Sequence, residues 1–387
     1  MYTIRTALLA AGAASLAAAA SDSTTITAAP SPTQVKKPAK RAEESALPLT
    51  EYKYSYSEIP YQVNPFNSGR GPQSGFNICN DTTVAADSNC QTAILNNASD
   101  FCLWGSPSTD TPSTIGDIEA AVVAYCTNDK HGSRVIPAGA ITGLQVMHTS
   151  AYLQFTGHIN MTAIGLTADD TGGELDPHGA DLAGNPLGGL VYSNNLPSGD
   201  NSTEAQVIEW NNFVGSGTFC FKLCDPGVTS PNYCQNKFDL LGCNYNMPAA
   251  YEDNTFLECD GELQDVVGTY TGTDGQTSTW SQPESLAGTE TLPWTPRIPA
   301  SSNCVTYQST DLFPASALGY QSTSAPSATS GGDSSSGSQT GSAASQAAKT
   351  GSSSASTTDG NGASDMVAVS VTLSGLALLV GGVVALA

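Results

Sequence analysis

The densest group of side chains able to do chemistry lies in one stretch, Ala168 to Gly189, ADDTGGELDPHGADLAGNPLGG, where Asp169, Asp170, Glu174, Asp176, His178 and Asp181 crowd together. Three chemistries suit it. Glu174 and Asp176, with His178 beside them, could supply the acid and base of a glycan-cleaving enzyme, which needs two carboxyls about 5 to 9.5 Å apart. Asp169, Asp170 and Asp181 could offer hard oxygens to Ca²⁺, although the EF-hand spacing is absent. The third outcome is structural, since Asp side chains in a Gly- and Pro-rich loop cap their own backbone turns. Neighbours in a flexible loop are held at no fixed distance, so all three stay open. A loop this long between strands is often functional.

Elsewhere the candidates thin out. His131, His148 and His158 are scattered and read as solvated or structural. No G-x-S-x-G elbow, H-E-x-x-H helix, P-loop or dinucleotide fingerprint occurs, so no cofactor is implied. The enzyme class is left open, with the weight against catalysis. Trp104, Trp210, Trp280, Trp294 and the alternating Tyr52, Tyr54 and Tyr56 could stack on sugar rings or simply cover a core. Spacing of two would place the three tyrosines on one face of an extended strand.

Ten cysteines fall into two groups on either side of a long Cys-free stretch: Cys79, Cys90, Cys102 and Cys126, then Cys220, Cys224, Cys234, Cys243, Cys259 and Cys304. An even count behind a secretory signal reads as disulfides. Zinc is the weaker alternative, because no Cys-x-x-Cys pair occurs. Each group is expected to pair within itself. Four sequons, at Asn80, Asn97, Asn160 and Asn201, mark surface that can carry N-linked sugar.

These groups need strands to position them. In Ala151 to Met161, Leu153, Phe155, Gly157, Ile159 and Met161 alternate with Gln154, Thr156, His158 and Asn160, a half-buried strand with Asn160 on its polar face. Ile141 to His148 reads as its partner, and further strands are expected at Gly189 to Ser193, Ala205 to Trp210 and Thr218 to Leu223. Helix signal is confined to Ile115 to Tyr125 and a shorter stretch, Gln91 to Asn96. The fold class is therefore mainly β: a disulfide-stapled, sandwich-like single domain with one or two short helices and long irregular loops.

Only 48 of the 387 residues are charged, 35 acidic and 13 basic, for a formal net charge of -22. Nucleic acid is excluded as a partner, since its binding rests on Lys and Arg neutralising phosphates. Residues 1–20 carry Arg5 and then a small apolar run ending in Ala, and read as a signal peptide. Residues 21–50 form a low-complexity linker or pro-segment. Lys40-Arg41 within it looks like a dibasic processing site, with cleavage after Arg41, or a linker that is never cut. The body spans 51–313, and 314–365 is a Ser/Thr-rich stalk suited to O-linked sugar. Residues 366–387 are 22 uncharged residues with nothing after them, read as a removed signal for a glycosylphosphatidylinositol (GPI) anchor, or else as a terminal membrane span. Asn361 is the favoured anchor site, and a spacer of about 8 to 12 residues would also suit Ser354.

Several long blocks of the body resemble a known family: IPYQVNPFNSGRGPQSGFNICN, GGELDPHGADLAGNPLGGLVYS, WNNFVGSGTFCFKLCDP, CNYNMPAAY, TGTDGQTSTWSQP and LPWTPRIPASSNC. They are similar to the fungal macrophage-activating glycoproteins, a family that includes an immunoreactive cell-wall mannoprotein. The likeness runs from about Ile59 to Phe313. It implies an extracellular, GPI-anchored, mannosylated protein of the cell surface and wall, with cell-wall glycans, host lectin receptors that bind mannose and the membrane as its partners. It implies no catalytic residue. The alternatives are a carbohydrate-binding module using Trp280 and Trp294, and a secreted glycan-active enzyme using the loop from Asp169 to Asp181.

Overall fold

A computed structural model describes residues 47–313, apart from 67–68, 109 and 287–290. The signal segment, Arg41, the stalk, Ser354, Asn361 and the C-terminal apolar run lie outside the described residues. The strands in chain order are β1 (Thr92–Asn97), β2 (Asp100–Gly105), β3 (Val123–Cys126), β4 (Arg134–Val135), β5 (Ile141–His148), β6 (Tyr152–Ile159), β7 (Gly173–Leu175), β8 (Leu190–Ser193), β9 (Ala205–Val207), β10 (Trp210–Gly215), β11 (Thr218–Cys224), β12 (Phe256–Gly261), β13 (Thr269–Thr271), β14 (Thr277–Thr279) and β15 (Ser301–Thr306). The α-helices are short: α1 (Ile115–Ile118), α2 (Gly242–Asn246) and α3 (Ser309–Leu312).

Two open sheets build the body, in the orders β4-β3-β2-β1-β8-β9 and β15-β12-β5-β6-β11-β10-β7, with β13-β14 as a small separate hairpin. Their inner faces meet in one core. Phe101 of β2 lies 5.1 Å from Phe155 of β6 and 6.2 Å from Phe219 of β11, and Trp104 lies 6.1 Å from Trp210. This is the mainly β, sandwich-like architecture that the alternating strands imply. Trp104 and Trp210 are thereby core residues, closed to solvent.

The departures have local causes. Helix stops at Ile118, and Val123–Cys126 pairs instead between β2 and β4. A run of Val, Ala, Tyr and Cys with a strand on each side gains more from pairing than from helix propensity. The stretch Gln91 to Asn96 falls in β1 from Thr92 onward, not in a helix. It lies parallel to β8 and is buried on both faces, so it lacks the period-two signature of a half-exposed strand. The expected strand Ala205 to Trp210 is two, because at Ile208-Glu209 the chain crosses from one sheet to the other.

The expected tyrosine strand is an irregular lead-in. Tyr54 N donates to Gln206 Oε1 at 2.7 Å, and Gln206 Nε2 donates to Tyr52 O at 3.0 Å, so one side-chain amide does the work of a neighbouring strand on β9. The Tyr52 and Tyr54 rings stack at 6.0 Å, while Tyr56 packs edge-on against Tyr192 at 5.2 Å.

β6 is not half-buried: only His158 is partly exposed. The reason lies on β11, where spacing of two puts Cys220, Lys222 and Cys224 on the outer face. The bridges Cys220–Cys243 and Cys224–Cys234 hold the following segment over that face. Beneath it Gln154 Nε2 donates to Met247 O at 3.4 Å, and Gln145 Oε1 accepts from Ala250 N at 2.9 Å. The remaining bridges are Cys79–Cys90, Cys102–Cys126 and Cys259–Cys304, so every pair stays within its own group. Replacing Cys220 and Cys243 together by Ser is expected to lower stability by about 3 kcal/mol, the scale for closing a loop of this size. Non-reducing urea unfolding measures it.

Candidate functional site

β7 carries Glu174 onto the edge of the second sheet, opposite Phe213 of β10. Gly172 makes the entry possible, since at its φ of +85° a Cβ would stand 2.0 Å from the Val214 carbonyl oxygen. Glu174 is 7% exposed. Its Oε1 accepts from Asn211 Nδ2, its Oε2 has no donor, and the carboxyl of Asp239 lies beside the group. Burial, then Asp239 and Asp176, push its acid well above the ordinary carboxyl range.

The other members of the cluster turn to the backbone or to distant chain. Asp170 accepts from Ile115 N at 2.8 Å and Gly172 N at 2.9 Å, tying the start of α1 to the loop. Asp176 Oδ1 accepts from His178 N at 2.6 Å and Gly179 N at 2.9 Å. Burial raises its acid, and those two bonds oppose the rise. His178 Nε2 lies 2.9 Å from Glu209 Oε2, a bond that raises the imidazole against the opposing effect of burial. Asp181 takes a two-pronged bond from Arg70, Nε at 2.9 Å and Nη2 at 2.7 Å, and Arg70 also donates to Gly184 O and Asn185 Oδ1. Asp169 is exposed. The loop is thus folded around Arg70, a base 111 residues away in the chain that sequence reading did not single out. Its only signal was scarcity, as one of few bases in the body.

Among the described residues, no group of three or more His, Cys, Asp or Glu side chains is placed to hold a metal ion. The four histidines each face one carboxylate: His131 with Asp100, His148 with Glu258, His158 with Asp253 and His178 with Glu209. Burial alone would raise Asp100, but His131, Asn128 and Asn96 outweigh it and hold the acid at about 2.

Three sequons share one geometry. At Asn80, Asn97 and Asn160 the side-chain oxygen accepts from both the backbone N and the hydroxyl of the residue two places on, Thr82, Ser99 and Thr162. At Asn201 the corresponding groups of Thr203 go to Asp200 instead, at 2.7 and 2.8 Å, and Asn201 has a φ of +59°. Both turns join residues only two or three places apart in the chain. Substituting Asn80, Asn97 or Asn160 by Gln should therefore remove one endoglycosidase-sensitive mass step each, while Asn201→Gln removes little.

What the fold and the loop define is a disulfide-stapled two-sheet β body that presents Asx-turn sequons and folds its acidic loop onto its own backbone. Two fungal relatives are similar to it, both from Mycosarcoma maydis. Appressorium protein ROW1 is 40% identical over 260 residues, covering 65% of this chain and 58% of ROW1. Appressorium protein ROW2 is 38% identical over 258 residues, covering 66% of this chain and 84% of ROW2. The chain belongs to the family of these fungal appressorium proteins, though the match spans less than two thirds of ROW1. No family model and no solved structure matches the chain. Among the described residues, no helix is long and apolar enough to cross a membrane.

Proposed function

We propose that the chain is a secreted fungal surface glycoprotein, GPI-anchored through Asn361 or Ser354, with a structural, adhesive or recognition role in infection. The observation that carries this reading is the pairing of all ten cysteines within the body, the state that an oxidising, extracytoplasmic compartment maintains. The exposed Asx-turn sequons support it, as do relatives named for the appressorium, the cell with which a fungus enters its host. In this reading the mannose of the N- and O-linked sugars meets host lectin receptors, and the body sits among cell-wall glycans. The acid surplus keeps it soluble and away from polyanions.

Treatment of intact cells with a phosphoinositide-specific phospholipase tests the anchor. Release into the medium supports it, and retention on membranes after treatment overturns it. Enzymatic deglycosylation tests the recognition arm: a stripped body that engages host lectin receptors as strongly as the native protein would sink the glycan-mediated version.

A further inference from the structure

Away from the acidic loop, Asp265 to Thr271 and Pro293 to Arg297, with Tyr245 and Pro248, line an open cavity of about 320 Å³. Its apolar wall is aromatic. The ring of Tyr270, from β13, lies 5.9 Å from that of Trp294 and 9° from parallel, and Tyr245, from α2, stands edge-on to Trp294 at 5.6 Å. Tyr245, Trp280 and Trp294 pack against Phe238, Leu241 and Val267 while staying partly exposed. On the rim Arg297 Nη2 donates to Leu263 O at 2.9 Å and to Asp265 Oδ1 at 3.3 Å, and its Nη1 donates to Glu262 at 3.4 Å. A carboxylate and a guanidinium therefore stand side by side, exposed to solvent, next to a braced aromatic wall.

The chemistry of an occupant follows by exclusion. An anionic polymer meets Asp265, Glu262 and a chain of net charge -22. A wholly apolar ligand would strip water from Asp265 and Arg297 and return no hydrogen bond. A neutral pyranose satisfies both walls, because its C–H face lies against an aromatic ring while adjacent hydroxyls give to a carboxylate and accept from a guanidinium. The volume is close to the lower limit of about 300 Å³ for ligand pockets, which suits one or two sugar units at a chain end.

We infer that this cavity binds the end of a neutral oligosaccharide, with Trp294 and Tyr270 against the sugar face and Asp265 and Arg297 bridging its hydroxyls. The site would work in a free or an anchored chain, so its failure and that of the surface-anchor reading are separate results. Titration of the purified full chain with laminarihexaose, chitohexaose and mannohexaose, followed by tryptophan fluorescence and calorimetry, tests it. At least one sugar should bind saturably. Asp265→Asn, a change at an exposed rim position, should weaken that binding about tenfold with the melting temperature unchanged. Trp294→Phe should weaken it and abolish the fluorescence response. Absence of saturable binding by all three sugars would overturn the inference. So would binding indifferent to both substitutions, or binding of a decaproline peptide in place of the sugars, which would mark the wall as a polyproline groove.

Discussion

Lys222→Ala is expected to lower stability by about 3 to 5 kcal/mol in urea unfolding with the disulfides intact, the sum of a core cavity and the orphaned Gln264 Oε1, since Asn246 O keeps its bond from Gln264 Nε2. Lys222 is 1% exposed on the outer face of β11. Its Nζ donates to Asn246 O at 2.8 Å and Gln264 Oε1 at 2.6 Å, and stands 4.9 Å from the centre of the Tyr152 ring. No carboxylate answers it within ion-pair distance among the described residues. Lys222→Met keeps most of the volume and should cost less, about 1 to 3 kcal/mol for the unpaired Gln264 carbonyl. The pH dependence separates charge from packing. Burial lowers the ammonium pKa well below its ordinary value, so the unfolded chain holds this proton more tightly than the folded one. Stability from this group therefore rises as pH climbs from the folded pKa to the unfolded one. The difference between wild type and Lys222→Met should carry that slope. A difference independent of pH would mean that the lysine is not desolvated.

Glu174→Gln is expected to stabilise the protein near neutral pH by about 1 to 3 kcal/mol, the scale for a buried polar group left without a partner. The substituted amide can still accept from Asn211 through Oε1. Its new Nε2–H can donate toward Asp239, where the carboxylate has no donor. The folded-state pKa of Glu174 is raised, so its stabilising contribution is complete below the unfolded value and is lost as pH rises through the folded one. Wild type and variant should coincide in mild acid and diverge toward neutrality. A destabilised variant at neutral pH would show that the ionised carboxylate is needed there, and would revive the acid–base reading of Glu174 and Asp176.

Much of the fold was legible because its signals are short-range. β6 announces itself by alternation, and the bounds expected for β5, β6 and β11 come within one or two residues of the structure. The clustering of cysteines into two groups foretold which could pair. β1 and β3 were missed because strands buried on both faces carry no alternation to read. The candidate site was legible only as a list of residues. Its arrangement rests on partners such as Arg70 for Asp181 and Asn211 for Glu174, which lie 111 and 37 residues away.

The sequence by itself determined what depends on composition and on neighbours two to four residues apart: a β body, disulfides in two families, an acidic surface and sequons whose hydroxyls reach back to their asparagine. Only the tertiary structure decided which polar face would be buried and which carboxyl would be buried against another. The polar side of β6 and β11 is as hydrophilic as a solvent face, yet two disulfides draw a later segment over it and leave Lys222 dry. Proton affinity follows burial and nearby charge, not residue type. Glu174 and Asp181 look alike in the chain, but one faces a second carboxyl and the other a guanidinium.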